Sequence, residues 1–173
     1  MTIKAIETCY KGYRFRSRLE ARWAVYFDAA GIEWEYEKEG YRLSNNLGAY
    51  LPDFWLPQVE MWAEVKPTFF SHLEICKCWD LALLTGYPCL MLDEVPDNKS
   101  YWGVEPLNET DACFTDYFLD GSYLSERRFY ANTGVTYPDK ADGRDYGDAC
   151  RTRAVNLARS ARFEHGESGL VRA

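Results

Sequence analysis

The chain has 173 residues, of which 47% are hydrophobic, 16% aromatic and 27% charged, with a formal net charge of −7. That composition excludes a wholly disordered chain, and no run reaches the roughly 18 apolar residues of a membrane helix. Overall acidity argues against a sequence-independent DNA-coating protein, although residues 1–22 carry net +4 and residues 150–173 net +3, leaving −14 between them, a distribution compatible with a local basic groove beside an acidic metal site.

The first residues, Met1 to Glu7, contain no apolar signal core, which points to a cytoplasmic protein. The six cysteines, at 9, 76, 78, 89, 113 and 150, are scattered and read as reduced thiols. Cys76-Lys77-Cys78 with His72 does not supply the four suitably spaced ligands of structural zinc.

Residues 17–30 read as a helix. Leu19, Trp23, Tyr26, Phe27 and Ala30 form an apolar stripe, Ser17 and Glu20 have capping-box spacing, and Gly31 is a terminator. Residues 32–37 alternate Ile32, Trp34, Tyr36 against Glu33, Glu35, Glu37, the pattern of a strand with one wet face. A second strand is expected from Tyr50 to Leu56, with Pro52 favouring an edge or bulge, and a third from Glu60 to Lys66. Residues 69–84 give a second helix with Leu73, Cys76, Trp79, Leu83 and Leu84 as its stripe, closed by Gly86. Strands at 88–92 and 101–104 follow. Residues 105–150 carry no clear period, 150–163 suit a basic helix with Ala154, Leu157, Ala158 and Ala161 on one side, and 165–173 read as a loose tail. Sheet plus flanking helices predicts an α/β (α+β) layered domain. We expect a core at 1–104, with residues 105–173 an extension packed on the same domain.

The chemistry concentrates in YLPDFWLPQVEMWAEVK, Tyr50 to Lys66. Pro52-Asp53 is followed, eleven residues after the Asp, by Glu64-Val65-Lys66. Strand alternation puts Glu64 and Lys66 on one face with Trp62, and Met61, Ala63 and Val65 on the other. A hairpin would lay Asp53 beside Glu64, so that two carboxylates and an ammonium meet. Hard divalent cations take carboxylate oxygens, and a neighbouring lysine can orient water or stabilise developing charge in phosphodiester hydrolysis. An E-x-K pair in a strand is also an ordinary ion pair worth about 0–1 kcal/mol. The apolar neighbours Trp62, Ala63 and Val65 imply a buried setting in which charges need a partner or a metal.

Pro52-Asp53…Glu64-Val65-Lys66 resembles the PD-(D/E)xK nuclease motif. The segment Phe15 to Ala24, with Ser17-Arg18-Leu19-Glu20, is similar to the acid-bearing first helix of that superfamily, and the element order resembles its αβββαβ core. The resemblance covers residues 14–95 and is strongest to small phage and prophage nuclease-like proteins. It implies a restriction-endonuclease-like core with a mixed central sheet and a magnesium- or manganese-dependent endonuclease activity on DNA. It further implies Asp53 and Glu64 as metal ligands, Val65 as a carbonyl ligand, Lys66 as the catalytic lysine, and Glu20 as the helix acid that binds metal in some members. Many members act as homodimers. A nuclease-fold protein that inhibits a host defence system, or mimics nucleic acid, is the rival implication, with a protein partner in place of DNA.

Other readings stand beside these. Glu20 has a sufficient role as a helix cap. Arg14, Arg16, Arg18 and Arg22 suit either a nucleic-acid path or a solvated helix face, and Arg151, Arg153, Arg159 and Arg162 would extend the basic surface. Trp55 and Trp62 suit core packing better than base stacking, and Glu33, Glu35, Glu37 and Glu60 suit a solvated surface.

Overall fold

The computed structural model describes residues 6–44, 46–97, 99–117, 130–131 and 146–163, with 130–131 and 146–151 as backbone. Two short strands, β1 (Thr8–Tyr10) and β2 (Tyr13–Phe15), open the chain as a hairpin. Its turn has positive φ at both Lys11 and Gly12, which matches the twist of a two-residue hairpin. No pattern in the sequence announced these strands.

Helix α1 (Arg18–Ala30) follows. The Ser17 side chain accepts from the Glu20 amide, and Gly31 closes the helix in the left-handed region at φ 73°, a geometry open to glycine without strain. Trp23, Tyr26, Phe27 and Ala30 are buried as expected, joined by Ala21, Ala24 and Val25. The buried face is wide because α1 packs against both β7 (Met61–Lys66) and α3 (Tyr146–Ser160). Ala154, Val155 and Ala158 supply the α3 side of that contact. This third helix starts at Tyr146, before the expected residue 150.

A mixed sheet forms the middle of the molecule. Its order is β11 (Tyr130–Ala131), β10 (Ala112–Tyr117), β9 (Tyr101–Pro106), β8 (Cys89–Asp93), β7, β6 (Phe54–Leu56), β3 (Glu35–Tyr36). Only β7 and β8 run parallel, joined by helix α2 (His72–Thr85). A separate hairpin pairs β4 (Tyr41–Leu43) with β5 (Gly48–Tyr50). The architecture is therefore mixed α/β, with a mixed central sheet and three helices among the described residues. Alternation divides the core. Phe54, Leu56, Met61, Ala63, Val65, Leu90 and Leu92 face α1, whereas Trp55, Trp62, Cys89 and Met91 face α2.

Three expectations need correction. The strand at 32–37 shrinks to Glu35–Tyr36, because Glu37 turns the chain at φ 46° and its amide bonds to the Asp53 carbonyl. The strand at 50–56 is broken at 51–53. Pro52 has no amide to offer a ladder, so Tyr50 ends β5 and Phe54 begins β6. The α2 stripe is rotated. Cys78, Leu81 and Ala82 are buried, while Leu73 and Leu84 are 57% and 55% exposed. Apolar residues surround most of this helix, so periodicity does not single out the face that meets β8 and β9. The Cys76, Trp79 and Leu83 side chains lie only partly buried at its flanks.

The sequence region that resisted assignment contains β10, which pairs along its length with β9 and extends the same sheet. Cys9, Cys76, Cys78, Cys89 and Cys113 are free thiols. The expected tail at 165–173 lies outside the described residues. No helix among the described residues is long and apolar enough to cross a membrane.

Candidate active site

The β6–β7 hairpin assembles the motif. Phe54 faces Ala63 and Trp55 faces Trp62, so the next position back, Asp53, lies opposite Glu64. Both carboxylates are buried, at 3% and 5% exposure. Asp53 Oδ2 accepts the Val65 amide at 2.8 Å, which pins the acid across the hairpin. Its Oδ1 accepts from Arg16 Nη2 at 2.7 Å. The Arg16 Nε donates in turn to Glu37 Oε1 at 2.7 Å.

Glu64 Oε1 accepts from Lys66 Nζ at 2.5 Å, the same-face pair that alternation requires. Glu64 Oε2 is buried with no hydrogen-bond partner among the described residues. The Tyr50 hydroxyl, on the hairpin packed over this face, lies beside Glu64 and interacts with it through charge and a side-chain hydrogen bond, without closing on Oε2 at full hydrogen-bond geometry. Burial first, then the nearby Cys78, Cys89 and Glu64, holds that hydroxyl well above the ordinary tyrosine range.

Glu20 comes from α1, on the opposite side of the sheet from Glu64. Its Oε1 accepts from Ser17 Oγ at 2.7 Å, and its Oε2 accepts from Tyr36 Oη at 2.5 Å and from the Arg16 amide at 3.2 Å. Both oxygens are therefore engaged in capping α1 and in fixing the strand that leads to Arg16. Tyr36, half-buried and bonded to Glu20, titrates above the usual tyrosine range.

The electrostatics are those of crowded negative charge. Burial, then Glu64, then Glu20 push the Asp53 carboxyl up to about 8, against the opposing pull of the Val65 amide and Lys66. Arg16 also favours the ionised acid, but its side chain is 55% exposed and water screens it. For Lys66, burial alone would lower the ammonium, yet the Glu64 charge and hydrogen bond, then Asp53 and Glu74, raise it above its ordinary value. Lys66 stays charged, and its side chain is 26% exposed, the most open of the three motif side chains.

The donor set suits a hard divalent cation: two buried carboxylates, one with a free oxygen, and no thiol or imidazole among them. Among the described residues no group of three or more His, Cys, Asp or Glu side chains is placed to hold one ion together. Glu20 lies near enough to raise the Asp53 carboxyl, with both of its oxygens engaged by Ser17, Tyr36 and the Arg16 amide.

The basic residues divide. Arg14 is exposed and paired with Glu7, and Arg18 is exposed on α1. Arg22 is half-buried, with an Nε that has no hydrogen-bond partner among the described residues. Only Arg16 of these four touches the motif. Arg159 is structural, donating to the Pro96 carbonyl and pairing with Asp97, while Arg153 and Arg162 are exposed. The Arg151 side chain lies outside the described residues. Trp55 and Trp62 pack with tilted rings, centroids 4.6 Å apart, in the α2-side core. Glu33 and Glu60 are exposed, but Glu37 is not simply solvated, since it holds Arg16. No sequence signal marks the Glu37 contact, because the positive φ at that residue breaks the strand period. Tyr36 was legible as an inward position, although its bond to Glu20 was not.

No family model, curated protein or solved structure matches this chain.

Proposed function

We propose that this protein is a metal-dependent nuclease with PD-(D/E)xK chemistry, hydrolysing phosphodiester bonds in DNA. The observation that carries the reading is the buried Glu64 Oε2 without a donor, opposite Asp53 and beside Lys66. A carboxylate oxygen withdrawn from water and left unpaired is costly unless a ligand completes it. The succession α1–β3–β6–β7–α2–β8, with the β4–β5 hairpin inserted, supports a restriction-endonuclease-like core.

Asp53, Glu64 and the Val65 carbonyl would hold magnesium or manganese. Such an ion supplies Lewis-acid neutralisation of the phosphate and a lowered pKa for water. The chain's own residues do the rest. The Val65 amide fixes Asp53, and Lys66 aligns the attacking water and offsets charge as it develops on phosphorus oxygens. The ammonium is partly open to solvent, so substrate can reach it. Arg18 and Arg22, an i, i+4 pair on α1, offer charge to the nucleic-acid backbone.

A second reading is a nuclease-fold binding protein. The pairing of Arg14 with Glu7 and of Arg16 with Asp53 and Glu37 favours it, because it leaves less free positive surface than the sequence implies.

Cleavage of plasmid, linear duplex, four-way junction, single-stranded DNA and RNA, with magnesium, manganese or EDTA, tests the two. Metal-dependent cutting lost in Lys66→Ala supports the enzyme. No cutting of any substrate overturns it, and a complex with a protein partner that survives Lys66→Ala then supports the binder.

A further inference from the structure

The guanidinium of Arg16 occupies an unusual place. It leaves the turn before α1 and donates from Nη2 to Asp53 Oδ1 and from Nε to Glu37 Oε1, both at 2.7 Å. Its own backbone amide is fixed by Glu20 Oε2 and Tyr36 Oη. The root of the side chain is therefore anchored, while the head is more than half exposed. Once ionised, this buried acid thus faces a cation that can swing into water without unfolding anything. On Asp53 the remaining oxygen is taken by the Val65 amide, so Oδ1 is the one a metal would use. Two cations on one oxygen repel each other, so each weakens the other's hold.

We propose that Arg16 is a resident counter-cation that competes with a divalent metal for Asp53 Oδ1, and that a phosphodiester relieves the competition by drawing the guanidinium onto its own oxygens. This rests on the nuclease reading. The guanidinium fork matches phosphate as well as it matches carboxylate, so it has a second partner once substrate arrives. Metal and phosphodiester then bind with positive coupling, and by linkage each strengthens the other equally. Glu37 is the parking partner that keeps the freed head beside the site.

The test is manganese affinity, read by titration calorimetry in the absence of substrate. Arg16→Ala is compared with the parent chain and with Lys11→Ala. Lys11 is an exposed cation paired with Asp28 on the first hairpin turn, so its loss removes the same charge elsewhere. Arg16→Ala is expected to bind manganese on the order of tenfold more tightly, with Lys11→Ala unchanged. Arg16→Gln, which keeps a donor without the charge, serves if the alanine variant does not fold. Equal or weaker affinity in the Arg16 variant overturns the inference, as does equal tightening in both variants. If the parent binds manganese, those results leave the nuclease reading standing. If neither parent nor variants bind it at millimolar concentration, both fall.

Discussion

Glu64 and Lys66 stand two residues apart on β7 and meet as an ion pair that leaves one carboxylate oxygen over. A structural pair in a buried strand would have both oxygens satisfied. This one has its cation on Oε1, while Oε2 meets no donor at full hydrogen-bond geometry. Truncating either side chain should therefore affect chemistry more than folding. Glu64→Gln and Lys66→Ala are each expected to lower the cleavage rate by about 10²–10³-fold, the usual scale for a removed charge stabiliser. The melting temperature of Glu64→Gln should shift by only a few degrees, whereas Lys66→Ala, which leaves the buried Glu64 charge without its cation, should lose more. A variant that cuts as fast as the parent would sink the assignment.

The buried Asp53 gives a pH signature. Its ordinary value is 3.8 and the fold raises it to about 8, so across that window the folded state holds a proton that the unfolded state has released. The stabilisation from this group is complete below 3.8 and is lost as pH rises through 8. Asp53→Asn does not titrate and escapes that loss. In metal-free protein, the melting temperature of Asp53→Asn relative to the parent should climb from acid pH to mildly alkaline pH. A constant difference, or one that falls, contradicts the burial argument.

Gly103 lies against the Tyr117 ring across β9 and β10. A Cβ built there would stand 2.4 Å from Tyr117 Cε2 and 3.2 Å from the Cys89 carbonyl. The ring is buried and the carbonyl is backbone, so neither yields easily. Gly103→Ala is expected to cost about 1–3 kcal/mol, as overpacking does. Chemical denaturation measures it. A neutral substitution would mean that β10 is not seated on β9 in this register.

The sequence made α1 legible because several independent signals agreed: Ser17 and Glu20 at the start, Gly31 at the end, and one stripe between. The Glu64–Lys66 pairing was legible for the same reason, since a period of two leaves no choice of face. Legibility failed where two signals conflicted or none existed. Pro52 sits amid strand-forming residues, and the chain resolves that conflict by breaking the strand just before Asp53. In α2 the apolar residues were too many to reveal a face. The link from Arg16 to Asp53 spans 37 residues, so no local pattern encodes it. The pair Glu20–Tyr36 shows a partial case, in which Tyr36 was readable as an inward position and Glu20 as a helix cap, and their contact was not.

The unpaired oxygen of Glu64 also predicts what metal does to stability. A cation that binds the folded chain and not the unfolded one stabilises it by mass action, about 2.7 kcal/mol at a hundred times the dissociation constant. Here the gain has a local cause. Asp53 and Glu64 repel each other in a poorly hydrated setting, and a divalent ion between them converts that repulsion into attraction. Manganese should therefore raise the melting temperature by several degrees, and EDTA should reverse it. The increase should be larger at alkaline pH, where Asp53 has given up its proton and can act as a ligand. Glu64→Gln should abolish it, because a neutral amide neither repels Asp53 nor holds the ion well. If manganese stabilises Glu64→Gln as much as the parent, the ion sits elsewhere, and the buried carboxylate pair is not the metal site.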